Sequence, residues 1–209
     1  MSAVVEVPRL HVLVDSVSLA EAALEGGAPC LQARVKIGTD RARCAVVTAI
    51  VARCRVAGAT CIVDDRADFA VAAGADGVHV GAEDLPVAAA RSVVGPGLLV
   101  GATVRSGAAA VEAVAAGADY LGVGPVYVSG SKMGLPTPLG LAGLRSVVAA
   151  VSVPVIAISG ITADRVPEVL ATGAHGVAVI GAVSQASDPR AATHTLLTTL
   201  AEAGEEVAS

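Results

Sequence analysis

Two adjacent carboxylates, Asp64 and Asp65, follow the apolar run 61–63 and stand directly before Arg66. Carboxylate oxygens accept hydrogen bonds from the first backbone N–H groups of a helix. They also bind hard cations such as Mg²⁺, which typically uses one or two protein carboxylates together with water and phosphate oxygens. Two interpretations are therefore open: one of the pair caps the next helix, or one of them binds a metal ion.

A second acidic pair, Glu83 and Asp84, lies in the segment VGAEDLP. Asp84 is followed by Leu85 and Pro86, which is typical of a helix start with Asp as N-cap and Pro in the first turn. If both acidic pairs follow neighbouring parallel strands, their carboxylates converge at one edge of the sheet. Capping and metal binding are compatible roles, because a carboxylate has two oxygens.

Basic and amide side chains alternate in the segment LQARVK, where Gln32, Arg34 and Lys36 point to the same side of an extended chain. Arg donates in a planar fork and Lys acts as a point charge, and both groups bind phosphate oxygens. One interpretation is therefore a phosphate-binding strand end. The alternative is that Arg34 and Lys36 simply reach solvent where the strand ends.

Small polar residues form three further candidate anion sites. The segment GPVYVSGSKMGLP contains Ser129, Ser131 and Lys132, which is typical of an anion-binding loop or lid, although ordinary surface loops share this composition. Backbone N–H groups at Gly160 and at Ile180–Gly181 follow two later apolar runs and could bind a phosphate. The alternative for these glycines is a tight turn.

One histidine, His79, lies inside an apolar run, and we interpret it as a hydrogen-bonded core residue. The sequence contains no Ser-His-Asp pattern, no H-E-x-x-H motif and no Walker A loop.

Eight apolar runs alternate with eight Ala-rich amphipathic stretches, and these elements must position the polar residues. Runs without polar alternation indicate parallel strands buried on both faces. The predicted strands are 9–14, 29–35, 60–63, 77–80, 97–102, 119–124, 153–158 and 176–181. The predicted helices are 17–26, 39–57, 66–74, 85–95, 106–117, 138–150, 163–173 and 188–204. We predict an α/β protein, a (β/α)₈ TIM barrel in which residues 1–209 form a single domain. A doubly wound open sheet is the alternative, but the first strand lacks a G-x-G-x-x-G turn.

The composition argues against several classes of binding partner. The chain has 209 residues, 54% of them hydrophobic, and a formal net charge of -5 without a basic cluster, so we expect no nucleic-acid or membrane partner. Its four cysteines lack C-x-x-C spacing and predict reduced thiols, and the N-terminus lacks a signal peptide, so we expect a cytoplasmic protein. The uncharged stretch around 146–163 contains Pro154 and Gly160, and we reject it as a membrane span. A homo-oligomer is compatible with this composition.

The motifs resemble, in order along nearly the whole chain, the thiamine-phosphate synthase family. LQARVK is similar to the family segment Q-L-R-E-K, and VDDRADFAVAAGADGVHVGAEDLP is similar to N-D-R … G-A-D-G-V-H-L-G-Q-E-D-L-P. GADYLGVGPVYVSGSK resembles G-A-D-Y-I-G-V-G-P-[IV]-[FY]-P-T-x-T-K, and ISGIT and GVAVIGAVSQASDP match the end of the family pattern.

The resemblance implies a (β/α)₈ barrel that uses Mg²⁺ to join hydroxymethylpyrimidine diphosphate to thiazole phosphate, with release of pyrophosphate. It places the diphosphate on Gln32, Arg34, Lys36 and Lys132, with Asp64 beside that site, and Mg²⁺ on Asp65 and Asp84. Thr103 takes the family's serine position near the pyrimidine, and Ser129 and Ser131 take two loop threonines. Gly160, Ile180 and Gly181 would contact the thiazole phosphate. Lys132, Arg34 and Thr103 are the residues expected to act in catalysis.

The chain departs from the family pattern at several positions. Asp64 replaces an Asn and adds a negative charge beside the diphosphate site, whereas Val35, Ala82, Val128 and Ser159 replace Glu, Gln, Pro and Gly. Two alternatives are kept. The first is a thiazole tautomerase, suggested by the segment GSKMGLP but lacking a His at Arg105. The second is a non-catalytic barrel that binds a thiamine intermediate.

Overall fold

The computed structural model describes residues 6–130, 134 and 136–208, with side chains described up to residue 204. Eight parallel strands form a closed barrel in which each strand pairs with the next in sequence and β8 pairs with β1. The strands are Leu10–Val14 (β1), Cys30–Ala33 (β2), Thr60–Asp64 (β3), Gly77–Val80 (β4), Leu99–Val104 (β5), Tyr120–Val123 (β6), Val155–Ile158 (β7) and Gly176–Val179 (β8). The predicted (β/α)₈ barrel is confirmed.

Helices connect the strands on the outside of the barrel. They are Val17–Glu25 (α1), Asp40–Ala57 (α2), Ala67–Ala73 (α3), Val87–Val94 (α4), Gly107–Ala115 (α5), Gly140–Val148 (α6), Val166–Leu170 (α7), Gly181–Ser184 (α8) and Pro189–Ala208 (α9), with a 3₁₀ turn at Ala163–Arg165. No helix in the described part of the chain is long and apolar enough to cross a membrane.

Glycine stops set the length of several helices. The chain leaves α3 through Gly74, whose φ of 67° is left-handed, and the next strand begins three residues later. Gly117 adopts a φ of 104° after α5, and the segment AAGAD contains both glycines, at 72–76 and at 115–119. A side chain strains such a conformation, so Gly ends the helix and turns the chain toward the next strand.

The apolar residues form two separate cores. The larger lies between the strands and the helices and is built mainly from small Ala and Val side chains. The smaller fills the barrel interior with Leu13, Cys30, Ile62, Leu99, Tyr120, Ile156 and Ala178. Val7, from the segment before β1, belongs to this interior core and is buried. The interior is therefore packed, and the strand carboxyl ends and their loops remain to form a site.

Candidate active site

The Asp64–Asp65 pair forms the turn between β3 and α3. Asp64 is the last residue of β3, and Asp65 has a left-handed φ of 64° while its N–H donates to the carbonyl oxygen of His79 at 2.8 Å. The N-cap of α3 is Arg66, and it makes no side-chain capping bond. The capping interpretation of this acidic pair is therefore wrong. The turn instead positions Asp65 at the loop that follows β3.

Asp65 forms an ion pair with Lys36, which connects the loops that follow β2 and β3. A second ion pair joins the same loops: Nη1 of Arg66 lies 2.9 Å from Oδ1 of Asp40 at the start of α2. Arg66 also stacks on the ring of Phe69 at 3.8 Å from the ring centroid. Two neighbouring loops of the barrel mouth are thus held together by charge.

Asp84 folds back onto the loop that follows β4. Its Oδ2 accepts a hydrogen bond from the N–H of Gly81 at 2.8 Å. Helix α4 begins at Val87, and its N-cap is Pro86 without a side-chain capping bond. The prediction that Asp84 caps this helix is therefore wrong, and its exposed carboxylate belongs to the loop at the barrel mouth.

The carboxylates at these loops fit a hard cation that takes its remaining ligands from water or substrate oxygens. Asp65 and Asp84 follow the adjacent strands β3 and β4 and offer carboxylate oxygens. Within residues 6–130, 134 and 136–208, no group of three or more His, Cys, Asp or Glu side chains forms a metal cluster. Two carboxylates without imidazole or thiolate ligands suit Mg²⁺, which is rarely enclosed by protein alone.

The alternating residues of the second strand lie at three depths. Gln32 is buried in the barrel interior at 3% exposure, and its Nε2 lies 2.8 Å from Nδ1 of His11. Arg34 is half-buried just beyond β2, and Lys36 is exposed at the rim. Within the described part of the chain, the Arg34 guanidinium makes no ion pair. The segment therefore offers a polar path from the interior to the mouth.

Thr103 lies at the top of a polar chain that begins deep in the barrel. Its Oγ1 is 2.9 Å from Nε2 of His79, and Nδ1 of His79 is 3.1 Å from the hydroxyl of Tyr120. Burial lowers the pKa of His79 to about 4 and raises the pKa of the Tyr120 phenol above its usual range. His79 is thus a neutral, hydrogen-bonded core residue, as predicted.

The segment between β6 and α6 carries the predicted anion loop. Ser129 is half-buried and Val128 is exposed, whereas Ser131 and Lys132 lie outside the described residues. Both ends of the segment are held together, because Leu139 N–H donates to the Pro125 carbonyl at 2.8 Å and the next N–H donates to residue 126 at 3.1 Å. The loop therefore leaves and re-enters the barrel mouth at one point.

The turn after β7 is packed directly against that loop. Gly160 has a φ of 69°, and a Cβ atom added there would lie 2.6 Å from the Val128 carbonyl oxygen. Arg165 donates from Nη1 to the Gly160 carbonyl at 2.6 Å and stacks on the Tyr127 ring at 4.4 Å from its centroid. Gly160 is thus required by its backbone conformation and by close packing, as the tight-turn interpretation expects.

The segment after β8 differs from the prediction. Ile180 is the N-cap of α8, a helix of four residues that starts at Gly181 and that the sequence pattern missed. Ile180 and Gly181 are half-buried at the same end of the barrel as the other candidate residues. The described members of the predicted site therefore all lie at strand carboxyl ends or on the loops that follow.

Sequence reasoning missed His11, Tyr120 and Arg165. All three look like ordinary strand or helix residues in the sequence, since their contacts join segments far apart in the chain. One signal was available for Tyr120. Gly101 stands opposite Tyr120 in the β5–β6 pairing, and a missing side chain beside an aromatic residue indicates that the ring occupies that space.

This arrangement places the chain among the (β/α)₈-barrel proteins whose functional residues lie at the carboxyl ends of the strands. The family model described as thiamine monophosphate synthase matches residues 5–183. The thiamine-phosphate synthase of Salinispora arenicola (strain CNS-205) is 50% identical over 194 residues, covering 88% of this chain and 93% of that protein. The chain belongs to the thiamine monophosphate synthase family, and its relatives of this name are transferases of thiamine biosynthesis.

Two further comparisons agree. The thiamine-phosphate synthase of Methanoculleus marisnigri (strain ATCC 35101 / DSM 1498 / JR1) is 50% identical over 188 residues, covering 90% of this chain and 89% of that protein. The solved structure of thiamine phosphate pyrophosphorylase from Pyrococcus furiosus superposes with a TM-score of 0.86 at 40% identity, covering 93% of this chain and 96% of that chain. A 3-hexulose-6-phosphate synthase at 22% identity and a TM-score of 0.68 shares the fold alone.

Proposed function

We propose that this protein is a Mg²⁺-dependent transferase that condenses hydroxymethylpyrimidine diphosphate with thiazole phosphate to give thiamine phosphate and pyrophosphate. The observation that carries this proposal is the Lys36–Asp65 ion pair, because it brings a phosphate-binding cation and a metal-binding carboxylate to one point of the barrel mouth. The 50% identity to a thiamine-phosphate synthase over 88% of the chain supports the same reaction.

In this proposal the diphosphate lies at the loops after β2 and β3. Arg34, Lys36 and Lys132 would contact its oxygens, with Gln32 below Arg34 and Lys36, and Asp65 and Asp84 would hold Mg²⁺. When bound, the metal ion supplies positive charge to the departing diphosphate oxygens. Fixed cations stabilise that growing charge more in the transition state than in the ground state, and one such donor contributes about 3 kcal/mol.

The bond changes require no protein nucleophile. The C–O bond between the pyrimidine methylene and the diphosphate breaks, and its electron pair leaves with the diphosphate oxygen. The thiazole ring nitrogen then donates its lone pair to the methylene carbon. Thr103 would lie near the pyrimidine, and Ser129 and Ser131 would contact the substrates from the loop after β6. Gly160, Ile180 and Gly181 would hold the thiazole phosphate. Water must be excluded, because it would trap the pyrimidine cation.

The tautomerase alternative requires a general base where this chain has Arg105. Arg105 is exposed, and its Nη2 donates to the carbonyl oxygen of Thr137 at 2.6 Å, so it serves as a link to the segment before α6. A guanidinium is effectively always protonated and cannot accept a proton. The geometry therefore favours the synthase over the tautomerase.

The non-catalytic alternative predicts that a site without function loses its charges. This chain retains Arg34, Asp65, Asp84 and Lys132, charged residues that a site without function would be expected to lose first. The proposed partners are small phosphorylated substrates, with neither nucleic acid nor membrane, and the proposed location is the cytoplasm.

The deciding experiment measures pyrophosphate release with both substrates, with either substrate alone, and with chelator in place of Mg²⁺. We expect release only with both substrates and Mg²⁺, and a loss of at least about a hundredfold in Asp65→Ala. Glu202→Gln, on the exposed face of α9, is the charge-matched control. A folded wild-type protein that binds thiazole phosphate but releases no pyrophosphate would favour the non-catalytic barrel.

A further inference from the structure

A chain of hydrogen bonds crosses three adjacent strands inside the barrel. Tyr120 on β6 is fully buried, His79 on β4 lies between its two partners, and Thr103 on β5 is partly open to solvent. The hydroxyl of Tyr120 is 3.1 Å from Nδ1 of His79, and Nε2 of His79 is 2.9 Å from Oγ1 of Thr103. A group at the barrel mouth is thus connected to a buried phenol.

The backbone beside the two rings is shaped to hold them. A Cβ atom at Gly101 would overlap the Tyr120 ring and lie 2.5 Å from Nδ1 of His79. A Cβ atom at Gly122 would lie 2.9 Å from Cε1 of His79. Two glycines on neighbouring strands therefore make room for the rings, and the packed surroundings fix their positions.

The buried position of Tyr120 decides the direction of these hydrogen bonds. In one arrangement Tyr120 donates to Nδ1, the Nε2–H group donates to Thr103, and the Thr103 hydroxyl hydrogen points to a further acceptor. In the reverse arrangement Thr103 donates to Nε2 and Nδ1–H donates to Tyr120. The phenolic hydrogen then lacks an acceptor, because Tyr120 makes no other side-chain hydrogen bond among the described residues.

An unsatisfied buried donor costs more than a donor that can reach water or a ligand. The first arrangement leaves its open donor on Thr103, at the partly accessible end of the chain. The reverse arrangement leaves it on Tyr120, which is 0% exposed. The first arrangement is therefore the stable one.

The second interior histidine has its tautomer fixed in a comparable way. Nε2 of His11 lies 3.0 Å from the Pro8 carbonyl oxygen, which can only accept, so this nitrogen carries the hydrogen. Nδ1 of His11 must then accept the hydrogen bond from Nε2 of Gln32 at 2.8 Å. The two neutral imidazoles thus set the hydrogen-bond directions of Gln32 and Thr103, the two polar side chains at the interior end of the site.

We propose that Tyr120 is a positioning residue that holds His79 in its Nε2–H tautomer and thereby makes Thr103 a hydrogen-bond donor at the barrel mouth. The Thr103 hydroxyl hydrogen then points toward an acceptor on the ligand, such as a ring nitrogen with a lone pair. The tautomer follows from the geometry alone, whereas the role of Thr103 toward a ligand rests on the proposed function.

The tautomer is measured directly from the imidazole ¹⁵N chemical shifts of His79 in the ligand-free protein at neutral pH. We expect wild type to show an unprotonated Nδ1 and a protonated Nε2, and Tyr120→Phe to show a mixture of both tautomers. Tyr127→Phe is the matched control, because that hydroxyl bonds Glu168, and it should leave the His79 signals unchanged. A protonated Nδ1 in wild type would overturn the proposal, and this measurement needs no variant to fold.

Steady-state kinetics test the consequence for the ligand. We expect the KM for hydroxymethylpyrimidine diphosphate to rise about tenfold in Thr103→Val and about fivefold in Tyr120→Phe, and to stay within about twofold in Thr103→Ser. The KM for thiazole phosphate should stay unchanged in all three variants. Equal KM values for the pyrimidine substrate in Thr103→Val and wild type would overturn the donor role. Absence of turnover in wild type would instead refute the proposed function, and the ¹⁵N measurement would still decide the tautomer.

Discussion

Asp64 is the residue at which this chain differs most in charge from the family motif that it resembles. It ends β3, and its Oδ1 atom is shielded from solvent. We predict that Asp64→Asn lowers the KM for hydroxymethylpyrimidine diphosphate by about fivefold to thirtyfold. Removing a like charge near a diphosphate relieves a repulsion of roughly 1–2 kcal/mol at an effective dielectric constant near 20.

Initial rates at varied pyrimidine substrate and saturating thiazole phosphate measure this change. Glu202→Gln removes the same charge from the exposed face of α9 and should leave the KM unchanged. An unchanged or higher KM in Asp64→Asn would show that the Asp64 carboxylate does not repel the diphosphate.

Ser159 holds a backbone conformation that favours glycine. Its φ is 84°, and its Oγ donates a long hydrogen bond of 3.3 Å to the Tyr127 carbonyl. We predict that Ser159→Gly raises the free energy of unfolding by about 0.5–1 kcal/mol, because relief of left-handed strain outweighs the added chain entropy. Chemical denaturation measures this change. Ser159→Ala keeps the strain and should destabilise, and a less stable Ser159→Gly would contradict the prediction.

Residue types alone left the acidic pairs ambiguous. Asp84 before Leu85 and Pro86 predicts a helix cap by composition, yet the helix starts at Val87 and the Asp84 carboxylate bonds the Gly81 N–H. The choice between a cap and a loop contact depends on the path of the chain between two elements. The residues around Asp84 do not determine that path, because it depends on where β4 ends and on how α4 packs against the barrel.

At the scale of elements, Arg165 connects the turn after β7 to the segment after β6. It bonds the Gly160 carbonyl and stacks on Tyr127, so it holds Gly160 against the neighbouring segment. We predict that Arg165→Ala raises the KM for thiazole phosphate about threefold to tenfold, since a hydrogen bond to a charged group and a cation–π contact are both lost.

Comparing the KM values for the two substrates in Arg165→Ala tests this prediction. The KM for hydroxymethylpyrimidine diphosphate should change by less than about twofold in Arg165→Ala. Arg145→Ala, on the exposed face of α6, is the control for loss of one guanidinium. Equal increases in both KM values would contradict a contact that acts on the thiazole side alone.

The number and order of the strands agree with the prediction, whereas the boundaries of individual elements differ in accuracy. β4 was predicted at 77–80 and occupies Gly77–Val80. The fifth strand was predicted at 97–102 but occupies Leu99–Val104, because Gly97 and Leu98 still belong to the preceding turn. The predicted helix 163–173 is shorter and begins as a 3₁₀ turn, and the four-residue α8 is too short to show helical periodicity.

At the scale of the whole molecule, the buried histidines link stability to pH. Burial lowers the pKa of His11 to about 3 and that of His79 to about 4, from 6.5 in the unfolded chain. Between those values the unfolded state binds more protons, so their contribution is complete above pH 6.5 and is lost as the pH falls through this range. We predict that the free energy of unfolding decreases by several kcal/mol from about pH 6.5 to about pH 4.5.

Urea denaturation over this pH range measures the effect. Asp40 and Asp68 have pKa values lowered from 3.8, so the stability that these carboxylates contribute is lost at a lower pH than this range. His11→Asn should flatten the pH dependence even though it destabilises the barrel at neutral pH. His194→Asn, on the exposed face of α9, should not change the slope. A wild-type stability that stays constant over this window would contradict the prediction.

The barrel as a whole was predictable, and the barrel interior was not. Alternating apolar runs and amphipathic stretches specify strands, helices and their order, and short connections then favour a closed parallel barrel. The contacts of His11 with Gln32 and of His79 with Tyr120 depend on strand register around the closed sheet. Register is a property of all eight strands together, so a pattern read along one strand does not contain it.

The Lys36–Asp65 ion pair also has a consequence for the order of events at the mouth. If Asp65 binds the cation as proposed, that cation would compete with the Lys36 ammonium for the Asp65 carboxylate and would favour release of Lys36 toward the diphosphate. Binding of the metal would thus prepare the site for the substrate anion, and the anion would in turn favour release of Lys36 from Asp65. Thermodynamic reciprocity requires each ligand to raise the affinity of the other by the same factor. The metal ion and the diphosphate substrate would then bind cooperatively. When either is scarce, Lys36 would stay paired with Asp65 and occupy the site.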